Sequence, residues 1–175
     1  MPTPVASPTS LERTSHDARA AAGYREGIIA GLIGAGTIAA WFFLLDVIRG
    51  RPFFTPAALG TFVFKGPQAL AAPETIDVGV ETVVGFTWIH ALVFCALGGL
   101  AVWLLTLAEE NPQFGFGIVL LMVFFEFGFI VGAMFLAEPL LKALTWPAIL
   151  LGNLFAIAAM GGYLRWRHPG LRILP

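Results

Sequence analysis

The stretch VVGFTWIHALVFCALGGLAVWLLTL (Val83–Leu107) decides the fold, together with the run that follows it, FGFGIVLLMVFFEFGFIVGAMFLA (Phe114–Ala137). Each is long enough to cross a hydrocarbon layer about 30 Å thick, because a spanning helix needs about 20 apolar residues. Between them lies Ala108-Glu109-Glu110-Asn111-Pro112, a tight polar turn that suits antiparallel neighbours. The first arm carries His90 and the second carries Glu126. A membrane hairpin with one ionisable residue in each arm is the expected centre of the chain.

Composition agrees with that reading. Of the 175 residues, 58% are hydrophobic and 12% charged, which is too little polar surface to cover a soluble core. The fold class that follows is all-α, because helices satisfy every backbone group within the segment that crosses the lipid. The net charge is −1, so no basic field points to nucleic acid, and no Lys/Arg-rich amphipathic stretch points to a peripheral helix. Cys95 is the single cysteine, which excludes a disulfide framework and a CxxC redox or zinc site. It reads as a small packing residue.

Outward from the hairpin, two more spans are expected. Span one covers Gly27–Ile48, GIIAGLIGAGTIAAWFFLLDVI, and span four covers Trp146–Leu164, WPAILLGNLFAIAAMGGYL. With spans two and three at 83–107 and 114–137, they make a transmembrane four-helix bundle within a membrane domain at 23–168. Residues 1–22 form a disordered or polar lead-in, helix-compatible from Thr14, and residues 169–175 a short tail. No secretory signal is visible at the N-terminus. Between spans one and two, FFTPAALGTFVF (Phe53–Phe64) is apolar but too short to cross. Thr55 as N-cap with Pro56 behind it marks a helix start. That helix is expected to be interfacial or re-entrant, and Lys65-Gly66-Pro67 ends it. Thr75 opens an acidic approach to span two through Asp77 and Glu81.

Small residues recur at four-residue spacing, which brings them into one row and lets another backbone approach. Gly27, Gly31 and Ala35 form such a row in span one; Cys95 and Gly99 in span two and Gly128 and Gly132 in span three are their counterparts. With four spans both termini share one side. That side carries Arg13, Arg19, Arg25, Arg165, Arg167 and Arg172, against Arg49, Arg51, Lys65 and Lys142 on the other. The excess places the termini in the cytoplasm.

Depth along the helices isolates the candidate functional residues. At about 1.5 Å per residue, His90 lies about 11 Å deep, Asn153 about 10 Å, and Glu126 and Thr37 about 16 Å each. Four polar groups from four helices therefore fall in one intramembrane layer. An ionised Glu at that depth is costly unless partnered, and His90 is the available partner. The pair serves either as a clamp that sets helix register or as a proton- or ion-handling site. At about 100° per residue, His90 shares a face with Thr87, Phe94 and Leu97, while Ala91, Cys95 and Gly99 point away from it. Span two thus has two occupied faces, as expected of a helix packed on both sides.

A haem or chlorophyll-type ligand is a further candidate role for His90, although the pigment-binding resemblance fails at its most diagnostic position. Light-harvesting polypeptides commonly carry Ala four residues before the ligating His, a position held here by Phe86. No Glu-x-x-His pair supports a di-iron bundle, and no metal site is expected. Asp46 reads as an interfacial ion pair with Arg49 and Arg51, and Glu109 and Glu110 as solvated turn residues. Trp88 and Trp146 at one interface, and Trp103 and Trp166 at the other, form an aromatic belt.

Two stretches, GLIGAGTIAAWFFLLDVIRGRPFFTPAALG (Gly31–Gly60) and LLGNLFAIAAMGGYLRWRHP (Leu150–Pro169), resemble a group of uncharacterised four-span bacterial membrane proteins. The resemblance implies a bacterial inner-membrane location and a four-helix bundle, and it carries over no activity. Without a nucleophile–base pair, metal cluster or phosphate loop, the sequence points away from an enzyme. The expected function is a structural or accessory subunit of a larger respiratory or photosynthetic membrane complex, partnered by lipid and by other membrane subunits or copies of itself. The alternative is a small homo-oligomeric transporter or proton conductor working through His90 and Glu126.

Overall fold

The computed structural model describes residues 8–70, 72, 75–111 and 145–169. Within them the chain is all-helical: α1 (Pro8–Ile48), α2 (Phe54–Lys65), a 3-10 turn (Pro67–Leu70), α3 (Val80–Glu110) and α4 (Trp146–Arg167). Three helical segments are long and apolar enough to cross a membrane, namely Ala21–Ile48, Val80–Glu109 and Trp146–Arg167. That is the character of a multi-pass membrane protein. The expected span at 114–137, with Glu126, Gly128 and Gly132, lies outside the described residues.

The lead-in and span one are one helix. Pro8 opens α1, and no further proline interrupts the pattern before Pro52, so the helix runs 41 residues without a break at position 22. Its end is a glycine-centred stop. Gly50 adopts φ +70, and the Gly50 and Arg51 amides donate back to the Val47 and Asp46 carbonyls at 3.0 and 2.9 Å. That paired return is the Schellman arrangement, and it needs a residue that tolerates the left-handed region.

The chain then turns at once into α2. Phe53, not Thr55, is the residue that precedes the helix; it sits at φ 64 and offers no side-chain cap. The expectation of Thr55 as N-cap is corrected here, because the tight exit through Gly50 starts the helix two residues earlier, at Phe54. Gly66, at φ 85, closes α2. Thr75 lies in a turn, its amide and hydroxyl both donating to the Ala72 carbonyl, and α3 starts only at Val80.

α1 is the central helix and packs on both α3 and α4. Contacts near its two ends fix the directions. Trp41, close to the end of α1, donates from Nε1 to the Ala148 carbonyl in the first turn of α4 at 2.9 Å. Glu26, near the start of the apolar part of α1, meets His168 at the end of α4. α3 likewise ends beside His168, through Glu109. α3 and α4 therefore both run antiparallel to α1 and parallel to each other. α2 lies at the α1 exit, packed on the start of α3.

The interior is thin. One cluster joins Ala30, Val102 and Leu164 from the three long helices; a second joins Phe42 and Ala148 with Trp41, Leu59 and Ile149 around them. A third lies under α2, where Phe54, Ala57 and Ala58 cover Leu70 and Ile76. Large apolar side chains such as Leu32, Leu92, Trp88, Trp103 and Trp166 face outward. Such a surface suits lipid rather than water.

Candidate polar sites in the helix bundle

The α1–α3 crossing is made of backbone. A Cβ on Gly27 would stand 2.6 Å from Gly99 Cα, and one on Gly31 would stand 2.6 Å from Cys95 Cα. A Cβ on Gly98 would in turn run into the Gly27 carbonyl and the Gly31 amide. Ala35, also in this row, is buried. Gly98 is the glycine that reading by fours passed over in favour of Gly99, whose own Cβ direction is open. The absence of side chains lets the two backbones meet directly at Gly27, Gly31 and Gly98. α3 also meets α2 at its start, where Thr82 lies against Gly60, and α4 through Val102 and Leu164.

His90 follows from that closeness. Its Nε2 lies 3.4 Å from the Ala35 carbonyl of α1, and its ring sits between Phe86 and Phe94 at centroid distances of 5.6 and 4.7 Å. Thr37 bonds within its own helix, its hydroxyl donating to the Ile33 carbonyl at 2.8 Å. The described members of the expected layer, Thr37, His90 and Asn153, are not joined to one another by any of these bonds, and Glu126 lies outside the described residues. Among the described residues no group of three His, Cys, Asp or Glu side chains could hold a metal ion.

The polar groups that the fold does join are at the helix ends. Asp46 is fully buried, and its carboxylate accepts the Thr55 amide on Oδ2 at 2.7 Å and the Thr55 hydroxyl on Oδ1 at 2.8 Å. The first amides of a helix have no partner within it, so a carboxylate placed there also meets the favourable end of the helix dipole. Asp46 thereby caps α2 from the preceding helix. The expected ion pair with Arg49 and Arg51 is corrected: Arg49 is exposed, and the Arg51 guanidinium lies 4.0 Å above the Phe54 ring. Asp46 thus faces inward, while the turn leaves Arg49 exposed and Arg51 half-buried on the Phe54 ring.

At the opposite face His168 joins three helices. Its Nδ1 lies 2.8 Å from Glu109 Oε1 of α3, and its Nε2 lies 2.9 Å from Glu26 Oε1 of α1. Arg167 Nε stands 3.8 Å from the same Glu26 oxygen. Glu109 is exposed, as expected, but it lies in a helix rather than a turn, because α3 runs on through Glu110 and presents it to the end of α4. Nothing in the sequence paired residues 26, 109 and 168. The available signal was that each lies within a turn of a span boundary on the same side. No protein-family model, curated protein or solved structure matches this chain.

Proposed function

We propose that this protein is a non-enzymatic structural or accessory subunit of a larger membrane complex, built as a four-span bundle. The observation that carries the reading is the combination at α1: backbone contact with α3 at Gly27 and Gly31, and side-chain ties to its neighbours at both ends. Such a unit is a stiff scaffold, and its broad apolar outer faces offer packing surface to other membrane helices or lipid. Chain direction supports the fourth span. α3 ends at the His168 face and α4 begins at the Trp41 face, so residues 112–144 must pass from one to the other. The apolar run Phe114–Ala137 is long enough to do so through lipid. The arginine excess on the His168 face supports cytoplasmic termini, and we propose a bacterial inner membrane as the location. α2, at the other face, lies at the membrane interface.

Native mass spectrometry of the particle extracted from its own membrane in mild detergent tests the assignment. Other polypeptides in fixed ratio are expected. A homo-oligomer with nothing else bound would overturn the subunit reading and shift the weight to transport through the His90 layer.

A further inference from the structure

The imidazole of His168 stands between two carboxylates, one on each ring nitrogen, and each carboxylate comes from a different helix. A ring that donates from both nitrogens is the imidazolium; a neutral ring has one donor and one bare lone pair. The bare nitrogen would face a carboxylate oxygen at under 3 Å, which is repulsive. The geometry points to a pH-operated latch: protonated His168 ties the ends of α1, α3 and α4 together, and loss of one ring proton releases α3.

Which contact breaks follows from the surroundings. The Glu26 side chain is only 11% exposed and needs its donor, whereas Glu109 is 40% exposed and can turn to water. Arg167 also stands beside Glu26 and helps to hold that carboxylate in place. The remaining proton therefore stays on Nε2, facing Glu26, and the Nδ1 proton leaves to bulk water. Glu109 then meets a lone pair and moves off. The α1–α4 tie survives while the α3–α4 tie opens. The backbone crossing of α1 and α3 lies deeper, at Gly98, so the movement is confined to the last turns of α3.

Spin-label distances in the full-length protein, reconstituted in lipid vesicles in a Cys95→Ala background, test this. One pair is Thr106→Cys with Trp166→Cys, reporting α3–α4; the other is Ala22→Cys with Trp166→Cys, reporting α1–α4. All three positions are exposed. Raising the pH from about 5.5 to about 8.5, across the range where histidines titrate, should lengthen and broaden the first distance and leave the second unchanged. His168→Arg, a permanent cation with several donors, should hold the short α3–α4 distance at both pH values. His168→Gln should show the long one at both. An α3–α4 distance that ignores pH in the unmodified latch overturns the proposal. So does a pH response that persists in both His168 variants.

Discussion

The Thr55 amide and the Thr55 hydroxyl each donate to a different oxygen of the Asp46 carboxylate, at 2.7 and 2.8 Å, inside a site closed to solvent. One side chain thus ends the first spanning helix and starts the next element. Its own backbone carbonyl accepts the Arg51 amide of the intervening turn.

Removing that acceptor should be expensive. Asp46→Ala leaves two buried donors on Thr55 without partners, and each such group costs about 1–3 kcal/mol. Asp46→Asn keeps one acceptor oxygen but turns an amide NH2 toward a donor, so it should fall between wild type and Ala. Thr55→Ser retains both bonds and should be close to neutral. Equilibrium unfolding in mixed micelles would rank the three, and an Asp46→Ala protein as stable as wild type would remove the capping role.

The backbone crossing predicts a sharp contrast between neighbouring glycines. Gly31→Val places a side chain where Phe94 and Cys95 backbone already stands, and should exceed the about 1–3 kcal/mol of ordinary overpacking. Gly36→Ala meets open space and should be neutral or stabilise the helix by about 0.5–1 kcal/mol. Thermal denaturation of both variants in the same detergent is sufficient; equal effects would mean that α1 and α3 do not meet at Gly31.

Trp41 ties α1 to the first turn of α4. It lies over Gly152, where a Cβ would stand 2.9 Å from the indole Cδ1, and its ring meets Phe155 edge-on at 5.0 Å. Trp41→Phe should keep part of the ring packing and lose the bond to Ala148, weakening the fold by about 1 kcal/mol. Gly152→Leu should be worse, because the indole has to leave. Unfolding midpoints of the two variants test that order.

The two carboxylates on His168 should not be equal. Glu26→Gln removes a nearly buried charge beside both His168 and Arg167, and should cost about 1–2 kcal/mol at neutral pH. Glu109→Gln acts at a more solvated site, where screening reduces the effect to below about 1 kcal/mol. Unfolding of the single variants and the double variant gives the coupling; the reverse order would contradict the burial difference.

If residues 112–144 cross the membrane, Asn111 and Thr145 open onto opposite sides. Asn111→Cys and Thr145→Cys, in a Cys95→Ala background, should react with a membrane-impermeant thiol reagent from opposite faces of sealed vesicles. Labelling of both from one face would exclude the fourth span.

The sequence by itself determined the helical class, the apolar stretches able to span, and the small-residue row of α1 at Gly27, Gly31 and Ala35. These follow from hydrophobicity summed over about 20 residues and from helical period, and neither depends on what a helix packs against. The place of α2 between Arg51 and Gly66 was legible for the same reason, from glycine and proline at its borders. Pairing of polar groups was not. Depth counting set Thr37, His90 and Asn153 at one level, yet His90 turns to the Ala35 carbonyl and Thr37 to its own helix. Only tertiary structure chose Thr55 for Asp46, and Glu26 and Glu109 for His168. A hydrogen bond needs its partners within about 3 Å, and that separation is set by how helices cross, how they rotate and where their ends overrun. None of those quantities is written in a single segment.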